Sequence, residues 1–416
     1  MSQLNDLILA NMEIPINTST QKNANNCALF NLGFRPFFLG AGVFGVVSIA
    51  LWMAVYLSNG LITINHISAS QWHAHEMLYG YGLAVVAGFL LTAVKNWTGV
   101  PTIFGKPLML LFALWAVARI LFLFGTAFLP WAAAADMLFG LMLLVSISIP
   151  IFKAKLWMQL AVVSKVLLLC IGNLVFYLGY FDVIANGMLY AITGAILLFI
   201  SLILMIGRRI IPFFIERGVA IPEGKDRVQL TQYRWLDISI LFVFLALFLN
   251  AIFVQVPHLT PLLAFALFAL NGFRLYNWHT AGIWRVPLLW SLYLSAWFIN
   301  VGFIFYALQP NSGSMSILTL HLFTIGGIGL VTIGMMSRVA LGHTGRDIRK
   351  PSPWVWVAFA SIVASVVFRV FVPMITTQLY TTWVLVAGIC WIFSFAIFAI
   401  IYIPILLKPR ADGAFG

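Results

Sequence analysis

A chain of 416 residues that is 62% hydrophobic and only 8% charged, with a mean hydropathy of +1.03, has too little polar surface for a soluble globular domain. Its formal net charge of +12 does not point to nucleic acid, because in such a chain Lys and Arg serve to orient loops against the bilayer. Three scattered cysteines, Cys27, Cys170 and Cys390, give no disulfide framework and no CxxC metal site.

Residues 1–33 hold Asn, Gln, Thr and Ser without an apolar core, so they read as a solvated cytoplasmic arm rather than a signal peptide. Residues 34–410 then read as one transmembrane domain. Apolar runs fall at about 36–58, 73–94, 107–124, 130–151, 157–180, 187–206, 235–256, 259–279, 286–308, 315–340, 354–375 and 380–406. Each approaches the roughly 20 residues that cross a bilayer core. The expected fold is therefore an all-α, polytopic bundle of about twelve transmembrane helices. Basic residues check the count. Lys95 and Lys106, Lys153 and Lys155, Arg208 to Arg234, Arg285, and Arg346 to Lys350 all follow even-numbered runs, while the connections after odd-numbered runs hold none. By the positive-inside bias both termini are cytoplasmic, and 207–234 is a basic cytoplasmic loop.

This topology gives each polar residue a depth. The second run opens on WHAHEM, placing His73, His75 and Glu76 near the outer face. Arg119, Asp136, His321 and Arg369, from four other runs, reach the same outer third. Ionisable groups at that depth are costly, so a functional site is the default reading. An inner group comprises Lys165, Arg274, His279 and His343.

The outer group suggests a haem, which needs two imidazoles from facing helices, an apolar slot and cations for its propionates. His321 and one of His73 and His75 are the candidate axial ligands, with Arg119 and Arg369 as propionate partners. Gly80, Ala84 and Gly88 follow His73 at helical spacing, and Gly326, Gly327 and Gly329 follow His321. Both stretches read as smooth faces for a porphyrin, or as close helix packing. His73 and His75 point about 200° apart on a regular helix, so they should serve different partners. One can take haem iron while the other binds a second metal such as copper; Tyr79 shares the His75 face. The competing structural reading pairs Glu76 and Asp136 with an arginine. At the inner end, His279 and His343 can meet at a second haem or a metal, or simply bond loop to helix.

The segments FRPFFLGAG (34–42), WHAHEMLYGYGLAVVAGFLLTAVKNWTG (72–99), RRIIPFF (208–214) and HLFTIGGIGLVTIGMMSRVALGHTGR (321–346) resemble the NnrS family of bacterial membrane proteins. The resemblance implies a twelve-helix protein of the bacterial inner membrane carrying haem, of the b type, and copper, linked to denitrification and nitrosative stress. It implies functional roles for His73, His75, His321, His343 and Arg346, and extends to His279, Arg208 and Arg209. Expected partners are nitric oxide, membrane lipid and a respiratory electron donor. Two other classes stay open: a secondary transporter whose buried charges form ion sites, and a factor that handles haem or copper for other enzymes.

Overall fold

The computed structural model describes residues 27–58, 67–219, 228–309 and 315–416. The expected arm therefore lies almost wholly outside the described residues, as does part of the 207–234 connection. Within them the chain is helical, without a strand.

Twelve helices follow one another along the chain: α1 Phe34–Leu57, α2 Ala69–Thr98, α3 Lys106–Leu121, α4 Leu129–Lys153, α5 Leu160–Tyr180, α6 Gly187–Gly218, α7 Arg234–Val254, α8 Leu259–Trp278, α9 Pro287–Leu308, α10 Ile317–Gly342, α11 Trp354–Ile375 and α12 Tyr380–Leu407. They correspond one to one with the twelve apolar runs. Eleven are long and apolar enough to cross a bilayer. The exception, α3, has 16 residues and spans about 24 Å, short of a hydrocarbon core of about 30 Å. It forms a hairpin with α4 and turns Met109, Leu110 and Val117 outward. The protein is a multi-pass, all-α membrane protein.

The two ends of the domain meet. The Ala28 amide donates to the Leu407 carbonyl at 2.8 Å. Buried Arg35, at the start of α1, donates from Nη1 to the carbonyls of Leu406 at 2.7 Å and Lys408 at 2.8 Å. These are carbonyls that the last turn of α12 cannot satisfy itself, so a cation supplied by α1 ends α12 and closes the bundle. Start and finish therefore share one face, as an even number of crossings requires.

The connection expected as a loop at 207–234 is in good part helix. α6 runs on to Gly218 through Pro212, because RRIIPFFI still offers an apolar stripe: Ile211, Pro212 and Ile215 are buried. With 32 residues, α6 is about 48 Å long and outruns the hydrocarbon core. Its last turns, with Arg208, Arg209 and Arg217, therefore reach beyond the apolar layer.

Four helices carry π-helical turns, at Glu76–Gly82 in α2, Asn250–Val254 in α7, Leu322–Gly329 in α10 and Val367–Phe371 in α11. Each wider turn rotates everything after it relative to a regular helix. The face drawn through His73, Gly80, Ala84 and Gly88 is thereby broken. Gly80 instead admits Arg119 and Phe44, and Gly88 admits Phe38; a Cβ at either glycine would approach these side chains to 2.9 Å or less. Gly326, Gly327 and Gly329 receive Phe298, Ile299 and Trp391 in the same way. Both glycine stretches are close-packing surfaces, so neither is the smooth porphyrin face that the spacing suggested.

Candidate functional site

α2 begins at Ser68, whose side chain accepts from the Gln71 amide while Gln71 bonds back, a reciprocal cap. Its first two turns are regular, so His73 and His75 leave on different sides, and α2 separates two polar neighbourhoods.

On one side, His75 enters a fully buried network. Its Nδ1 lies 2.9 Å from Glu76 Oε1, and its Nε2 lies 2.9 Å from Asn173 Oδ1 on α5. Arg119 of α3 donates from Nη1 to Glu76 and from Nη2 to Asp136 of α4. Tyr177, one turn beyond Asn173, donates to the other Asp136 oxygen at 2.7 Å. The rings of Phe122 and Phe176 pack on the imidazole with centroids 4.8 and 4.4 Å away. The quartet of His75, Glu76, Arg119 and Asp136 is at most 4% exposed. Such burial is tolerable because the guanidinium lies between two carboxylates and the network supplies most of the other hydrogen bonds, with Arg119 Nε left over. The expected propionate partner Arg119 is thus held by two carboxylates of the chain, the arrangement of the competing structural reading. Both ring nitrogens of His75 are engaged, which leaves neither open to a metal while those bonds persist. Tyr79, expected beside His75, keeps a ring contact at 5.3 Å but directs its hydroxyl to the Ala191 carbonyl at 2.8 Å.

On the other side, His73 stacks on Trp52 of α1, with centroids 4.7 Å apart and planes at 30°. Its buried Nδ1 has no hydrogen-bond partner among the described residues. It shares an electrostatic neighbourhood with Arg369 of α11 and His321 of α10. The His321 ring is fixed by a 2.8 Å bond between Nδ1 and the Ile317 carbonyl. A carbonyl can only accept, so Nδ1 carries the proton and the lone pair is at Nε2. Arg369 donates to the Tyr380 hydroxyl at 3.0 Å. His321 sits at the edge of a π-helical turn and Arg369 inside one, a backbone feature frequent at functional sites. Among the described residues no group of three or more His, Cys, Asp or Glu side chains is arranged around one ion, so this neighbourhood offers imidazoles in a pair rather than a cage.

The inner residues divide as well. His279 caps α8 and accepts from Trp284 Nε1 at 3.1 Å. His343, following α10, packs on Phe34 at 5.8 Å. The two thus have different neighbours. Burial, with Arg410 and Lys95 nearby, pushes the His343 imidazole down to about 4. Arg346 donates to the Thr344 carbonyl at 3.3 Å. Arg208 and Arg274 share Asp237, at 2.7 and 2.5 Å. Arg208, Arg209, Arg274 and His343 all line one cavity of about 2730 Å³ bounded mainly by α2, α5, α6, α7 and α10.

Asn173, Tyr177, Trp52 and Tyr380 were not singled out from the sequence. For Asn173 and Tyr177 a signal existed: two polar groups four residues apart in the apolar run of α5, hence on one helix face.

The fold and these buried sites define a polytopic, all-α membrane protein with ionisable clusters inside the bundle. The model of a family described as NnrS protein matches residues 28–410. The chain belongs to the NnrS family, membrane proteins linked to the nitric oxide response. No curated protein matches it.

Proposed function

We propose that the protein is a haem protein of the bacterial inner membrane that relieves nitric oxide stress, by binding or redox conversion of nitric oxide, with His73 and His321 as the residues that hold the haem. The observation that carries this reading is the buried, unpartnered ring nitrogen of His73, in the same neighbourhood as His321 and Arg369. Burying an imidazole without hydrogen bonds costs stability, and coordination would remove that cost.

A bound haem b would supply a redox-active iron, which would pass electrons while both imidazoles hold it and would take up nitric oxide where one of them gives way. The chain's own residues prepare for it. The Ile317 carbonyl orients His321 so that Nε2 is the ligating atom, the usual role of a second hydrogen bond behind a metal ligand. Trp52 restrains the His73 ring by stacking. Arg369, steadied by Tyr380, supplies a cation for a propionate. The surrounding apolar helices exclude water while admitting a small uncharged gas. Copper is a second proposed cofactor, for which imidazole is a suitable ligand, and a respiratory carrier is the proposed electron donor.

Purified protein should show reduced-minus-oxidised haem bands that shift on adding nitric oxide. His321→Ala should lose the haem while keeping its helical circular dichroism. Full haem content and an unchanged spectrum in that variant would overturn the assignment of His321. A folded wild-type preparation lacking any chromophore would overturn the haem reading itself and favour a transporter.

A further inference from the structure

The large cavity between α5, α6 and α7 has a use independent of haem. At about 2730 Å³ it exceeds the roughly 300–1,000 Å³ typical of a small-molecule pocket. Its walls are apolar along most of the membrane thickness, from Leu168 on α5 to Leu241, Leu245 and Phe253 on α7, and these side chains are left exposed. One end is different in character. Lys165, Arg208, Arg209, Arg217, Arg274 and Arg338 line it against two carboxylates, Glu216 and Asp237. Asp237 is shared by Arg208 and Arg274, so it neutralises only one of them.

Arg338 is the decisive residue. It lies on α10 about one turn from the helix end, is 9% exposed, and lines the cavity. Its guanidinium rests 3.7 Å from the centre of the Phe214 ring. Among the described residues it has neither an ion pair nor a hydrogen bond from its side chain. A cation so buried needs an anion or a strong hydrogen-bonding group, and none of the described residues supplies one. A partner from outside the described residues meets that need. It must carry negative charge at one end, at the depth where α6 leaves the hydrocarbon layer, and apolar chain along the rest.

We propose that this cavity binds an anionic phospholipid, with its phosphate held by Arg338 and the neighbouring arginines and its acyl chains along α5 and α7. Arginine forks match phosphate oxygens, basic pockets between membrane helices suit anionic headgroups, and the exposed leucines and Phe253 suit the acyl chains. A neutral lipid would leave Arg338 uncompensated, and a zwitterionic one would bring, beside its phosphate, a cation into a basic surround.

The test is native mass spectrometry on the full chain in detergent, titrated with phosphatidylglycerol, phosphatidylcholine or inorganic phosphate. Phosphatidylglycerol should remain bound in preference to phosphatidylcholine, and Arg338→Gln should weaken it by roughly fivefold or more. Arg338→Lys should recover part of the binding, since it restores charge without the fork. Equal retention of the two lipids would overturn the proposal, as would wild-type binding in a folded Arg338→Gln. Inorganic phosphate competing as well as the lipid would show a small-anion site and overturn it too. If Arg338→Gln fails to fold, Arg209→Gln at the exposed lip decides: a reduced preference supports the site, and an unchanged one removes it.

Discussion

His73 and His75 are separated by one residue, yet they occupy opposite chemical situations. His75 has a partner at each ring nitrogen and belongs to a network drawn from α2, α3, α4 and α5. His73 has an aromatic ring against it and a buried nitrogen without a hydrogen-bond partner among the described residues. A hydrogen-bonded network rigidifies the helices it joins, whereas an unsatisfied polar atom in a native interior asks for an explanation, of which a bound water, ion or cofactor is one. The first neighbourhood therefore fastens the first half of the bundle, and the second is the one to which the proposed haem is assigned.

The comparison breaks hardest at Arg119. Arg119→Met leaves Glu76 and Asp136 as uncompensated buried carboxylates, and should destabilise the protein by about 3–5 kcal/mol, read as a large fall in thermal midpoint in detergent. His75→Leu leaves the Asn173 oxygen unpaired, and Glu76 with Arg119 as its remaining partner, and should cost about 1–3 kcal/mol. It should leave the haem spectrum of the folded fraction intact; loss of haem at unchanged stability would reverse the roles given to the two histidines. His73→Leu does the opposite. No hydrogen bond is lost and much of the ring volume is retained, so stability of the cofactor-free protein should change by about 1 kcal/mol or less, while haem retention falls sharply.

The smallest effect belongs to His343, on neither side of α2. Its folded-state value near 4 lies below the ordinary 6.5, so the unfolded chain binds a proton that the folded one does not. Its contribution is intact above about 6.5 and is lost as pH falls through that window toward about 4. Thermal midpoints measured across that range should decline, and His343→Gln should flatten the decline.

Much of the architecture was legible in the chain. Lipid admits only segments that satisfy their own backbone, so each apolar run had to be a helix, and the alternation of basic loops required an even count, which the Ala28 and Arg35 bonds to the end of α12 match. The separation of His73 from His75 was also legible, because side-chain direction follows from helical period over so short a distance.

Over longer distances that period misled. The π-helical turn at Glu76–Gly82 shifts the face carrying Gly80 and Gly88, and no simple periodicity marks where such a turn will fall. The neighbours that decide each group's role come from remote helices: Asn173 and Tyr177 for His75, Arg369 for His73, Phe214 for Arg338. Composition and period thus determined that twelve helices exist and which polar residues they bury. Tertiary packing alone decided which of those residues are satisfied by the chain and which are left to be completed by something else, because satisfaction depends on contacts between residues far apart in sequence.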